Sequence, residues 1–209
     1  MHSRLNKVAV DKKVIVVVYP YFFPGFKAGG PIQSLVNMIT ALSDYYVFKV
    51  ITTAFDLNHS IPYSSIQLNA WNEVSLPGPD ARIAVWYHAS TKIGVMKMSS
   101  LLKQASPHII FINGLFTTWS FIPLILRRTG SLKNVRVILS PRGMLQPGAL
   151  QSKALKKKSF LKLFKSAGLF NDLAWHATGE DEKTDIKNMM GGTAEVIVAG
   201  NIPKKPLET

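Results

Sequence analysis

Seven short runs rich in Val and Ile punctuate the chain, at 14–19, 47–53, 83–87, 109–113, 135–140, 174–177 and 195–198. None alternates strictly between apolar and polar residues. That is the signature of strands buried on both faces, as in parallel sheets, rather than of half-solvated antiparallel ones. Between them lie segments with helical spacing, at 31–42, 95–104, 117–128, 151–165 and 180–189. Strand–helix alternation predicts an α/β fold with a doubly wound, mostly parallel, Rossmann-like sheet. In such folds ligands bind where strands end, in the loops that follow. Those loops begin here at Pro20, Thr53, Asn113, Ser140 and Thr178. From 54 to 79 the pattern fades into Asn, Ser, Pro and Gly and reads as a long, partly mobile connection. No internal repeat or low-complexity segment is visible.

A chain of 209 residues can bury a sizeable core as one large domain or two small ones. The first thirteen residues are polar, and the apolar run at 14–23 is too short to span a bilayer and contains Pro20, so no secretory signal or membrane span is expected. The absence of cysteine excludes disulfides, zinc thiolates and cysteine nucleophiles, and fits a reducing cytoplasm. Lys and Arg number 25 against 12 Asp and Glu, a formal charge of +13 that calls for an anionic partner.

The richest loop is Tyr19-Pro-Tyr-Phe-Phe-Pro-Gly-Phe-Lys-Ala-Gly-Gly-Pro31, which runs from the first strand into a helix. Pro31 suits a first helical turn, where a missing N–H costs nothing. Gly29 and Gly30 would let a phosphate approach the unpaired N–H groups and positive dipole end of that helix. The same two glycines could equally make only a tight turn. After the fourth predicted strand, Asn113 can hydrogen-bond a ligand hydroxyl and Gly114 leaves room for one, although Asn-Gly is also plain turn chemistry. After the next strand comes Ser140-Pro-Arg-Gly-Met-Leu145. Arg142 there can clamp a phosphate or carboxylate with its two-pronged guanidinium, or else brace its own loop by bonding carbonyls.

From 149 to 170 there are six lysines and no acid. On a helical wheel Lys158, Lys162 and Lys165 share one face, and Phe160, Leu161, Leu163, Phe164 and Ala167 fill the other. Such a helix can lie on an anionic membrane, or simply pack its apolar side on the sheet with its lysines in water. The histidines stand apart at positions 2, 59, 88, 108 and 176 and show no metal-ligand spacing; His108 and His176 fall at strand starts, away from the expected ligand side. Glu180, Asp181, Glu182 and Asp185 open a helix, where acids are ordinary dipole and capping chemistry. A Walker phosphate loop, a G-x-G-x-x-G turn and a G-x-S-x-G elbow are all missing.

The Gly29-Gly30-Pro31 start, the Asn113-Gly114 strand end, Ser140-Pro-Arg-Gly-Met-Leu145 with its lysine-rich helix, His176-Ala-Thr-Gly-Glu180 and Val196-Ile-Val-Ala-Gly-Asn-Ile-Pro203 follow one another in a particular order. In this they resemble the N-terminal domain of family 4 glycosyltransferases, retaining enzymes of GT-B architecture, over residues 13 to 203. The resemblance implies an acceptor-side domain at 1–203, and at 204–209 the start of a hinge to a C-terminal half that would hold most of a nucleotide-sugar and an acidic motif. It further implies transfer of a sugar to a glycan or lipid-linked acceptor in surface polysaccharide synthesis. The site residues carried over are Gly29 and Gly30 at the donor phosphates, and Asn113, Gly114 and Arg142 at the acceptor. The location implied is cytoplasmic and peripheral to the inner membrane face, with Lys158, Lys162 and Lys165 toward anionic lipid. Family members often carry a histidine near the end of the strand where Asn113 stands, so no ionisable role carries over to that position.

The chemistry implied places the nucleotide-sugar as co-substrate and requires no metal or cofactor. Its catalytic residues remain unassigned within 1–209. Two other readings stand beside it. A basic α/β domain could bind nucleic acid, though no RRM, KH or helix-turn-helix signature is present and no nucleic-acid partner is expected. A Rossmann-like module could instead hold a cofactor.

Overall fold

A computed structural model describes residues 12–77, 81–151 and 154–203. In chain order its elements are β1 (Val14–Val18), α1 (Gly30–Leu42), β2 (Val47–Thr53), β3 (Trp71–Ser75), β4 (Arg82–His88), α2 (Val95–Ala105) and β5 (Ile109–Asn113). There follow α3 (Thr118–Arg128), β6 (Arg136–Ser140), α4 (Pro147–Gln151), α5 (Ala154–Ser166), β7 (Ala174–Ala177), α6 (Glu180–Met190) and β8 (Glu195–Val198). The eight described strands form one sheet in the order β3-β4-β2-β1-β5-β6-β7-β8. Every pairing is parallel except that of β3 with β4.

The all-aliphatic β1 sits at the centre because only a strand without polar side chains can be covered on both faces. Val16, Val17 and Val18 are fully buried, and they point alternately to two cores. On one face α1 lays Ile32, Leu35, Val36 and Ile39 against Val17, Val50 and Val85. On the other, α2, α3, α5 and α6 contribute Met98, Leu102, Trp119, Leu161 and Ile186 over Val16, Val18 and Leu139. The strand order reverses between β1 and β5, which opens a crevice above their carboxyl ends.

One expectation is corrected. The 54–79 stretch is not only a connection: it carries β3, paired antiparallel to β4 in the register Trp71↔Trp86 to Ser75↔Arg82. An edge strand needs apolar cover on one side only, so Asn72, Glu73 and Ser75 stand where a core strand would have Val or Ile. The helix expected at 151–165 corresponds to the end of α4 and to α5, and residues 152–153 between them lie outside the described residues. Pro147 fits the first turn of α4, where its lack of an N–H is harmless. Lys153 lies outside the described residues, as do residues 1–11 and the 204–209 segment read as a hinge.

Candidate functional site

The loop from β1 to α1 is pinned from the β2 side. Asp56, 5% exposed, accepts from the backbone N–H groups of Phe26 at 3.0 Å, Lys27 at 3.1 Å and Leu57 at 2.8 Å. Burial raises the Asp56 carboxyl, but the three N–H donors outweigh it and hold it below its ordinary range. Tyr87 Oη donates to the carbonyl of Phe23 at 2.5 Å. Gly29 then adopts φ 69° and ψ −136°, a backbone conformation that L side chains rarely take. The two glycines therefore differ: Gly29 serves the turn, whereas Gly30 opens α1 without a positive φ. Neither has any atom within 4 Å of where a Cβ would stand, and α1 starts with no side-chain cap and no acid in its first turn.

The next two loops of the carboxyl edge meet directly. Asn113, at the end of β5, is fully buried, and its Oδ1 accepts from Arg142 Nε at 2.5 Å. Gly114 has φ 88°, and its N–H donates to the Ser140 carbonyl at 2.8 Å. Beside Gly114 a Cβ would stand in ordinary contact, 3.4 Å from Met144 Cε and 3.7 Å from Tyr19 Cε2. Arg142 and Gly143 both take positive φ, 54° and 72°, which turns the guanidinium back over the sheet. Arg142 braces side-chain amides rather than its own loop's carbonyls, since its Nη1 donates to Asn201 Oδ1 at 2.6 Å. Burial pulls its pKa down from the ordinary guanidinium value, against the pull of Glu182 and Tyr19. Burial also lifts the Tyr19 phenol to about 12, helped by Tyr21 and opposed by Arg142.

Three features escape the sequence reading. Glu182, 4% exposed, holds two loops together: Oε1 accepts from Gly143 N at 2.6 Å, and Oε2 accepts from Thr178 N and Thr178 Oγ1 at 2.7 Å each. Burial raises this carboxyl, but those hydrogen bonds win and keep it below the ordinary range. His176 is not on the far side of the sheet. β7 has only four residues, so its third already lies at the carboxyl edge, where the ring packs edge-on against Phe111. Its Nε2 lies 3.0 Å from the Ala199 carbonyl, which can only accept; Nε2 therefore carries the proton, and Nδ1 accepts from Ser140 Oγ at 2.9 Å. Burial, then Arg142, depress its pKa below 6.5. Lastly, residues 199–203 turn back over the edge as a strap. His176 holds Ala199, Arg142 holds Asn201, and Asn37 of α1 donates to the Ile202 carbonyl at 2.8 Å.

The lysines of α5 lie apart from this cluster, on the helix layer. Lys158, Lys162 and Lys165 share one exposed face and line a cleft of about 220 Å³ with Leu161, Met189 and Met190. The apolar side is narrower than the wheel predicts. Leu161 is buried, and Phe160 and Phe164 stack with Phe121 in the core margin, but Leu163 is 63% exposed and Ala167 is also exposed. Among the described residues no three acidic or histidine side chains converge as a metal set, and no helix is long and apolar enough to cross a membrane.

No family model matches this chain, and no curated protein matches it. Solved structures do. Sucrose-phosphate synthase from Thermosynechococcus elongatus superimposes with a TM-score of 0.60 at 12% identity, over 90% of this chain and 48% of that one. A putative UDP-N-acetylglucosamine 2-epimerase from Listeria monocytogenes gives 0.51 at 11% identity, over 91% of this chain and 45% of that one. The chain thus spans about half the length of each. At such identities the likeness is one of fold: a Rossmann-like α/β sheet of the kind found in GT-B enzymes.

Proposed function

We propose that this chain is the acceptor-binding half of a glycosyltransferase that moves a sugar from a nucleotide-sugar to a glycan or lipid-linked acceptor in surface polysaccharide synthesis. The observation that carries the reading is the gathering of ligand-competent groups on one edge of a GT-B-like sheet. The uncapped start of α1 at Gly30 lies there, as do the Arg142–Asn113 pair and neutral His176. Transfer breaks the bond between the anomeric carbon and the leaving diphosphate, so charge grows on phosphate while the sugar turns cationic. Catalysis is then mostly placement and electrostatics. The Gly29-Gly30 loop would face the donor phosphates with N–H groups and a positive dipole end, a role that asks for no metal. Asn113 and Arg142 would orient the acceptor. Lys158, Lys162 and Lys165 would face an anionic membrane surface at the cytoplasmic side.

The test uses an enzyme that carries both halves. Gly30 is free of strain and of close neighbours, so Gly30→Val should leave the fold intact while crowding the N–H groups of α1. Transfer should collapse with unchanged melting temperature. A wild-type rate would make the loop a turn and nothing more. The 209-residue chain alone should turn over no nucleotide-sugar.

A further inference from the structure

Arg142 is a half-buried cation whose hydrogen bonds go only to neutral amide oxygens, Asn113 Oδ1 and Asn201 Oδ1. Among the described residues no carboxylate pairs with it. The charge of Glu182 acts on it, but that carboxylate is already engaged by Gly143 and Thr178. A guanidinium has five N–H donors in a fixed fork, and two of Arg142's are in use. Asn113 beside it is fully buried. Because its Oδ1 must face Arg142 Nε, its amide orientation is fixed, and Nδ2 is left as a buried donor with no acceptor. An unmet buried donor next to an unpaired, half-buried cation is costly unless an acceptor arrives from outside. The cover is light, because Asn201 is exposed and hangs from Arg142 by one side-chain contact.

We propose that Arg142 and Asn113 form a subsite for an anionic group on the acceptor, a carboxylate or a phosphate monoester carried by a sugar, and that Asn201 holds its place until that group enters. The proposal rests on the acceptor reading above. The incoming oxygens take over Arg142 Nη1 from Asn201 Oδ1, gain the free Nη2, and bring the missing acceptor to Asn113 Nδ2. A neutral hydroxyl could meet one donor, but would leave the half-buried charge without a counter-charge. His176 does not compete for the anion, because its N–H is committed to Ala199.

The experiment is calorimetric titration of the chain with glucuronate, glucose 6-phosphate, glucose and UDP, with the Asn113 side-chain amide followed by NMR. The expected result is that one or both anionic sugars bind and shift that amide while glucose does neither; which of them binds identifies the group. Arg142→Leu should weaken binding by about tenfold or more, because a hydrogen bond to a charged group contributes at least one decade of affinity. Arg142→Leu could also disturb the strap, so two further variants guard the test. Arg142→Lys keeps the charge but loses the fork and should bind weakly, whereas Asn201→Ala removes the competitor and should bind more tightly than wild type. Glucose binding as well as the anions overturns the proposal, as does an unmoved Asn113 amide. So does UDP binding tighter than either sugar, which would give the subsite to the donor. If Lys158→Glu with Lys162→Glu removes as much affinity as Arg142→Leu, the attraction is diffuse charge and the proposal falls. Anion binding without sugar transfer in the two-half enzyme would sink the transferase reading and leave the subsite. Transfer with no preference for anions would do the reverse.

Discussion

Removing the Glu182 carboxylate should loosen the site from behind. It accepts two backbone N–H groups and one hydroxyl, all within 2.7 Å, from loops that follow two neighbouring strands. Glu182→Ala leaves the N–H groups of Gly143 and Thr178 without their acceptor. A hydrogen bond to a charged group contributes about 1.5–3 kcal/mol. Both donors sit in half-buried loops where water can replace part of each bond, so the expected loss is at the low end, about 3 kcal/mol in total. For a chain of this size that is roughly a 10 °C drop in melting temperature. Glu182→Gln keeps an acceptor for one loop and turns an amide N–H₂ toward the other, so about half that loss is expected. The pH dependence has a fixed sign. The folded carboxyl titrates below its ordinary 4.5, so its contribution is complete above that pH and disappears as pH falls through the folded value. Thermal melts of wild type and both variants at neutral pH and at pH values below 4.5 would read this directly. A Glu182→Ala variant that melts within about 2 °C of wild type at neutral pH would refute the reasoning, because even one lost charged bond exceeds that shift. A gap that stays constant down to acid would refute it as well.

Three further outcomes are expected. Gly29→Ala should destabilise by about 1–3 kcal/mol in denaturant titration, because alanine must adopt φ 69° with ψ −136°, whereas Gly30→Ala should cost nothing; equal effects would mean the turn is not strained. An NMR titration of His176 should give a midpoint below 6.5, with stability lost as pH falls through it, since protonated Nδ1 can no longer accept from Ser140; a midpoint at or above 6.5 contradicts the assignment. Vesicles of anionic lipid should retain the chain at low salt, each lysine of α5 contributing on the order of 1 kcal/mol. Lys158→Glu with Lys162→Glu should abolish that retention, and equal sedimentation of the variant would remove the membrane role.

The sheet was legible because parallel core strands leave a plain mark: Val14–Val18 and Ile109–Asn113 are apolar nearly throughout, short, β-branched and bounded by turn residues. β3 was illegible for the complementary reason. Its cross-strand contacts, such as Trp71 against Trp86, are long-range, and its own residues are those of a loop. Around α5 the wheel found the lysine face but put Leu163 and Ala167 on the apolar side, where both are exposed. A helix lying on the rim of a layer packs a narrower stripe than one wedged between neighbours. Asn113 and Arg142 could be picked out because they follow strand ends, and the topology of parallel sheets turns strand ends into neighbours. Glu182 could not. An acid in a first helical turn is ordinary dipole chemistry, and only the fold reveals that this one faces inward to another loop. His176 could have been placed correctly, because the run at 174–177 has the bounds of β7 and puts it third of four, whereas the strap depended on a change of direction that Ala199-Gly200-Asn201 permits without announcing.

These residues divide the carboxyl edge into a fixed part and an exchangeable part. The fixed part is held by buried backbone-directed bonds. Asp56 sets the loop before α1, Glu182 sets the loops after β6 and β7, and Gly114 and Met144 fill the space between them. The exchangeable part is the outer end of the strap, where side-chain tips hold residues 201–202: Arg142 on exposed Asn201 and Asn37 on half-buried Ile202. Binding that breaks a side-chain contact to an exposed partner costs little, because water or ligand replaces it at once. Breaking the Glu182 bonds would strand two backbone donors. A ligand entering from above can therefore shift the strap while the Arg142–Asn113 pair keeps its geometry, the preorganisation that electrostatic placement of a reacting sugar requires.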